Sequence, residues 1–154
     1  NRPNTRNVVL RDFSIENLTI RFHTDKRSSK IRDIKANQDI CLIGYDKRTK
    51  LQIRIDAEAN VIEDEEILFN IWKNMYPMSR ECYRVLNSPG DKIESLKEIE
   101  FAEDDKNNLV GFNNFVAVNC NIRSLEILYL SHLGHIRAKY KKNNGVLKGE
   151  WLVP

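Results

Sequence analysis

No run of about 18 apolar residues occurs in the 154-residue chain, so the sequence offers no membrane-spanning helix. Cysteine is scarce: Cys41, Cys82 and Cys120 are odd in number, widely spaced and never in a C-x-x-C pair. That pattern excludes a disulfide framework and a zinc ribbon, and it predicts free thiols in a reducing compartment. The three histidines, His23, His132 and His135, are too scattered for a metal cluster, and no metal is expected. Neither G-x-x-x-x-G-K-[ST] nor G-x-G-x-x-G is present, which removes the familiar nucleotide loops. There is no internal repeat and no strand–helix–strand rhythm. The opening Asn-Arg-Pro-Asn-Thr-Arg has no signal-like apolar core and no initiator Met. It reads as the start of a fragment of a cytoplasmic protein.

What is present is ordinary in bulk: 31% charged residues, 41% hydrophobic, and a formal net charge of +3. This is material for one domain with a real core. The mild basicity is too small by itself to argue for nucleic acid. From Leu51 to Val61, apolar Leu51, Ile53, Ile55, Ala57, Ala59 and Val61 alternate with Gln52, Arg54, Asp56, Glu58 and Asn60. Period-two alternation of this length predicts a long, half-buried β-strand. Strands are also expected over 7–13 and 17–24, joined by a turn at 14–17, and over 38–46, 115–130, 136–142 and 146–153. The last two are joined through Asn143-Asn144-Gly145. Short helices are expected from Ser28 to about Lys35, over 64–75 with Leu68, Ile71, Trp72 and Met75 inward, and over 79–86. Residues 87–114, with Pro89-Gly90 and the acidic run Glu103 to Asp105, read as a long solvated loop. The pattern predicts an antiparallel β-barrel of the α+β kind with few helices. Trp72, Cys120 and Trp151 read as packing residues.

"FHTDKRSSK", residues 22–30, is the most unusual stretch. A strand end, the hydroxyls of Thr24, Ser28 and Ser29, a helix start and three cations coincide there. Such a junction is either an ordinary N-cap or an anion site, since helix N-termini offer N–H groups and a favourable dipole. Arg6 and Arg11 flank the first expected strand, and a hairpin would bring Arg6 near Lys30.

These residues resemble the pyridoxamine 5'-phosphate oxidase-like, FMN-binding split barrels. Arg6-Asn7-Val8-Val9-Leu10-Arg11, Phe22-His23-Thr24-Asp25-Lys26-Arg27-Ser28-Ser29-Lys30 and Gln52 follow that family's order and spacing. His135-Ile136-Arg137 and the closing Trp151-Leu152-Val153-Pro154 agree more loosely. The resemblance implies an antiparallel split β-barrel, a single FMN-binding domain over residues 1–154, and a homodimer. It gives FMN as cofactor, with Arg6, Thr24, Ser28 and Lys30 around the phosphate, the backbone of Asn7, Val8 and Val9 along the ring, and His23 and Ser29, which stand where the family has tyrosine and arginine, also at the cofactor. Gln52 would reach the flavin across the dimer interface, and Arg137 would sit near its N1/C2 edge. Arg11, Tyr76, Arg80 and His135 would face a small-molecule substrate, with His135 the only catalytic candidate. The family's R-x-H reads Leu133-Gly134-His135 here, which points away from vitamin B6 oxidation and towards another small anionic substrate.

Three alternatives stand beside that reading. They are an authentic pyridoxamine/pyridoxine 5'-phosphate oxidase, a non-catalytic flavin-binding protein, and a basic nucleic-acid-binding barrel. The last would use Arg21, Lys26, Arg27, Arg32 and Lys35, but Asp25 and Asp33 interrupt the patch and no stacking aromatic lies within it.

Overall fold

The computed structural model describes residues 3–103 and 109–154. In chain order the elements are β1 Leu10–Ser14, β2 Thr19–Asp25, α1 Ser29–Ala36, β3 Asp39–Asp46, β4 Leu51–Val61, α2 Glu65–Lys73, α3 Pro77–Arg80, β5 Phe115–Tyr129, β6 Ile136–Asn143 and β7 Val146–Leu152. Single 3₁₀ turns lie at Glu81–Tyr83, Leu96–Glu98 and Phe112–Asn114. The strands follow the order β1-β2-β5-β4-β3, with β6 on β5 and β7 on β6. The expected antiparallel sheet with few short helices is therefore present, as an open sheet.

The chain divides into two compact units. The first comprises Asn1–Arg11, Arg21–Asn37 and Val61–Asn119 and carries α1, α2 and α3. Its core gathers Leu68 and Trp72 from α2, Tyr83, and Phe115 and Ala117 from β5, with Ile62, Ile71, Met75, Leu109 and Phe112 packed against them. Asp64 caps α2 by accepting from Ile67 N at 2.9 Å, and Glu65 and Glu66 occupy the first turn, where the helix dipole favours them.

The second unit comprises Asp12–Ile20, Gln38–Asn60 and Cys120–Pro154 and is almost wholly β. β3 pairs with β4 from Asp39↔Glu58 to Asp46↔Leu51, which puts Ile40 and Leu42 on the face of Ala57 and Ile55. The β6–β7 hairpin turns through Asn144 and Gly145 at φ 48° and 80°, the left-handed pair a tight two-residue turn requires. Gly149 faces Tyr140, whose ring carbon would lie 2.6 Å from an added Cβ, so the aromatic covers a position that only glycine leaves open.

Several expectations shift. The first strand begins at Leu10 rather than Asn7, because residues 3–9 carry Arg6 towards α1 instead of pairing. The helix expected over 79–86 starts earlier, at Pro77, and tightens into a 3₁₀ turn, as Pro at the first helical position favours. Trp151 does not pack within the chain: it is 79% exposed opposite Ala138. The described part of 87–114 is not featureless; Val85 bridges Phe101, and Ser95 and Glu98 close a reciprocal capping box. Asp104 and Asp105 of the acidic run lie outside the described residues.

All three cysteines are free. Cys120 is fully buried on β5, and burial pushes its thiol up to about 11. Alkylation of native protein should therefore modify Cys41 and Cys82 well before Cys120. Mass spectrometry of a time course checks this; early labelling of Cys120 would contradict the packing of β5.

Candidate functional site

β2 ends in buried Thr24 and Asp25, and three residues later Ser28 caps α1 from an extended conformation, φ −60° and ψ 140°. The Ser28 hydroxyl accepts from the Lys30 amide at 3.4 Å. Ile31 and Ile34 are buried and hold α1 down, so its first turn is fixed from below. On the other side, the Lys30 ammonium donates to Thr24 Oγ1 at 2.7 Å. Arg6 arrives from the segment before β1, and its Nη2 donates to Ser29 Oγ at 3.0 Å and to Asp33 Oδ2 at 2.8 Å. Five of the residues singled out from sequence, Arg6, Thr24, Ser28, Ser29 and Lys30, thus meet at one strand-to-helix turn inside the first unit.

The electrostatics of this turn are specific. Burial holds the Lys30 ammonium below the ordinary lysine range, and the neighbouring Arg6 charge lowers it further, with Asp25 opposing. Hydrogen bonds from Arg6 and then Asn4 hold the exposed Asp33 carboxyl below the usual carboxylate range. Asp33 thus pairs with Arg6, whereas Lys30 meets a neutral hydroxyl. Two adjacent cations, three hydroxyls and the amide end of a helix are the parts that grip a dianion.

Other candidates sit elsewhere. Val8 and Val9 are 38% and 60% exposed in the irregular segment before β1. The His23 ring packs edge-on against Phe115, centroids 5.1 Å apart, so this histidine is half-buried beside the core. Arg11 is exposed on β1, and its charge acts on the Cys82 thiol and the Tyr83 phenol. Tyr76 is 82% exposed ahead of α3. Arg80 is committed to structure: its Nη2 donates to the carbonyls of Lys73 and Met75 at 2.9 and 3.0 Å, and the guanidinium lies 5.4 Å from the Trp72 ring.

Gln52, His135 and Arg137 belong to the second unit. Gln52 is half-buried opposite Tyr45. His135 Nδ1 accepts from the Ser131 amide at 3.2 Å. Arg137 donates through Nε and Nη2 to Glu126 Oε1 at 3.1 and 2.8 Å.

Sequence reasoning missed Asp33 and Glu126 as partners of these arginines. Asp33 was within reach: it stands four residues after Ser29 on α1 and so shares its face. Glu126 is eleven residues from Arg137 across a strand pair, and only the register reveals it.

The fold that presents this basic turn is an antiparallel sheet with a few short helices. Residues 1–63 match the family described as pyridoxamine 5'-phosphate oxidase, FMN-binding domain. That segment contains every residue of the turn, and the family it matches is by its description FMN-binding. The whole chain also has the fold of a pyridoxamine 5'-phosphate oxidase-related, FMN-binding protein from Nostoc punctiforme PCC 73102. The TM-score is 0.84 at 22% identity, covering 99% of this chain and 82% of that one. PhzG from Burkholderia lata 383, in complex with tetrahydrophenazine-1-carboxylic acid, has a TM-score of 0.71 at 17% identity, covering 99% and 76%. At these identities the likeness shows the fold alone. No curated protein matches the chain.

Proposed function

We propose that this chain is a single-domain, cytoplasmic, homodimeric oxidoreductase of the split-barrel type that uses FMN on a small anionic substrate. The observation that carries the reading is the convergence of Arg6, Thr24, Ser28, Ser29 and Lys30 on one turn, with a desolvated lysine whose charge a phosphate would relieve. When bound, FMN supplies two-electron redox chemistry. The chain supplies binding and orientation. Arg6 offers a planar fork and Lys30 a point charge to the phosphate, with the three hydroxyls completing its shell. The backbone of Asn7 to Val9 edges the ring, and Gln52 and Arg137 approach from the partner subunit. Arg137 is held by Glu126, which fixes where its guanidinium points. His135 orients the substrate.

Dimerisation is supported by apolar groups that the single chain leaves in water: Trp151 is 79%, Ile43 71%, Tyr45 56% and Ile136 52% exposed. Contiguous exposed apolar surface marks an interaction face, and Ile43 and Tyr45, two residues apart on β3, share one face of that strand. Sedimentation should show a species of twice 18.1 kDa. A monomer that still binds FMN tightly would overturn the shared-site picture.

The substrate is other than a vitamin B6 phosphate. Arg80 is occupied by two carbonyls and the Trp72 ring, and Leu133, which stands where the oxidase has an arginine, is 87% exposed. A charged contact missing from a closed site costs several kcal/mol of transition-state stabilisation. Holoprotein should give little or no pyridoxal 5'-phosphate from the pyridoxine or pyridoxamine phosphate. Turnover of around 0.1–1 per second would restore the vitamin B6 reading.

The pH dependence of cofactor binding follows from Lys30. Its ordinary value is 10.5 and the folded protein lowers it, so a charged Lys30 costs the apoprotein stability that is recovered as pH rises through the lowered value. Phosphate binding favours the protonated form. FMN affinity should therefore begin to fall below pH 10.5 on the alkaline side, and on the acid side below about pH 6, where a phosphate monoester regains its second proton. Flavin fluorescence titrations across pH check both limbs. An affinity unchanged to pH 10.5 would remove Lys30 from the site.

A further inference from the structure

The segment from Arg84 to Ala102 has no periodicity in sequence, yet its neck is closed. The Leu86 amide donates to the Glu100 carbonyl and the Ala102 amide to the Arg84 carbonyl, each at 2.9 Å, around the Val85–Phe101 bridge. Arg84 adds Nη2 and Nε bonds to the Ala102 carbonyl at 2.6 and 3.2 Å. The loop overhangs a cleft of about 300 Å³ whose walls include Val85, Ile93 and Ile99 on its own side and Asp25 and Arg27 on the other.

Arg27 ties this neck to the cradle turn. Its Nε and Nη2 meet Asp25 at 3.0 and 2.7 Å, and its amide donates to Asp25 Oδ1 at 2.8 Å. The same guanidinium donates from Nη1 to the Leu86 carbonyl and from Nη2 to the Val85 carbonyl, both at 2.9 Å. Asp25 in turn accepts from the Ser28 amide at 3.1 Å through its own carbonyl. Asp25 and Arg27 therefore lie, in chain and in hydrogen bonding, between Thr24 and Ser28 of the cradle. One guanidinium touches the first strand of the loop's closure, at Val85 and Leu86, and the turn that positions the hydroxyls. If the turn moves, either the neck follows or a charge-assisted bond is lost.

We propose that Arg27 is a positioning residue that couples occupation of the phosphate cradle to closure of the 84–102 loop. The inference rests on the reading that the cradle takes the FMN phosphate. Coupling of this kind is reciprocal: if FMN steadies the neck, loosening the neck must weaken FMN by the same factor. The coupling belongs to the phosphate, so riboflavin does not engage it.

The test is amide hydrogen exchange at Leu86 and Ala102 in the full chain, alone and with FMN or riboflavin, for wild type and Arg27→Lys. Lysine keeps a positive charge beside the buried Asp25 carboxylate but loses the planar fork that spans two carbonyls. In wild type, FMN should slow exchange at both amides roughly tenfold, and riboflavin should not. In Arg27→Lys, FMN should bind roughly tenfold more weakly with riboflavin affinity unchanged, and the neck should no longer respond to FMN. A neck that responds equally in both proteins, or that ignores tightly bound FMN in wild type, would overturn the proposal. A merely structural Arg27 would weaken both flavins alike, which also overturns it. If wild type binds riboflavin as tightly as FMN, the cradle reading itself has failed. Should Arg27→Lys not fold, the double variant Asp25→Asn/Arg27→Leu removes both charges of the pair together and is read by the same outcomes.

Discussion

Lys30→Ala should weaken FMN binding roughly 10- to 100-fold, while leaving riboflavin affinity near that of wild type. A hydrogen bond to a charged group contributes about 1.5–3 kcal/mol, and Lys30 brings the more buried of the two cradle cations. The same substitution should not destabilise the apoprotein. Burial and Arg6 both oppose the charge on Lys30, so the folded chain bears a cost that Lys30→Ala removes. The expected signature is thus a divided one: lower FMN affinity with an apoprotein melting temperature equal to or above that of wild type. This is the trade between function and stability seen where a binding site crowds like charges together. Equal losses of apo stability and of affinity for both flavins would mean that Lys30 is a structural residue.

Trp72→Ala should be the most damaging single change to the fold, at about 3–5 kcal/mol. Trp72 is fully buried on α2, and its ring centroid lies 5.3 Å from Phe115, 5.7 Å from Tyr83 and 5.9 Å from Phe112. Gly111 shows how tightly this cluster is closed. An added Cβ there would lie 2.9 Å from Tyr83 Cβ and 3.1 Å from Trp72 Cη2, so the backbone touches the rings where no side chain fits. Removing the indole empties a space that neither β5 nor the 111–114 turn can collapse into. It also strips Arg80 of the ring it stacks on, leaving that guanidinium with its carbonyl bonds only. Since a domain of this size has only about 5–15 kcal/mol in total, Trp72→Ala should lower the urea midpoint sharply. A loss below about 1 kcal/mol, the range of surface substitutions, would show that the aromatic cluster is not the core of the first unit.

Much of this was legible in the residues, and the reasons are local. The alternation of β4 has only one solution, so Leu51–Val61 was readable to the residue. Asn143-Asn144-Gly145 defined the last hairpin because few residues other than asparagine and glycine accept positive φ there. Ser28 was readable as a cap because its hydroxyl sits directly ahead of an amphipathic turn. The meeting of these residues at one turn was legible for the same reason: Thr24, Ser28, Ser29 and Lys30 are close in sequence, and only Arg6 had to be brought from 23 residues away to Ser29.

What sequence did not show depends on long-range contacts. Arg27 and the Leu86 carbonyl are 59 residues apart, and nothing near Leu86 announces that its carbonyl takes a guanidinium. Arg80 keeps the spacing from Tyr76 expected of a substrate contact, yet it ends on the carbonyls of Lys73 and Met75, because Pro77 turns the chain back towards the end of α2. Trp151 read as a packing residue from its hydrophobicity alone; one chain leaves it in water.

The central claim, a cradle built for the phosphate of FMN, is tested most directly by titrating apoprotein with FMN, FAD and riboflavin at one pH and salt concentration. FMN should bind at least roughly 100-fold more tightly than riboflavin, as two charge-assisted contacts to a dianion require, with FAD weaker than FMN. Equal affinity for FMN and riboflavin would contradict it.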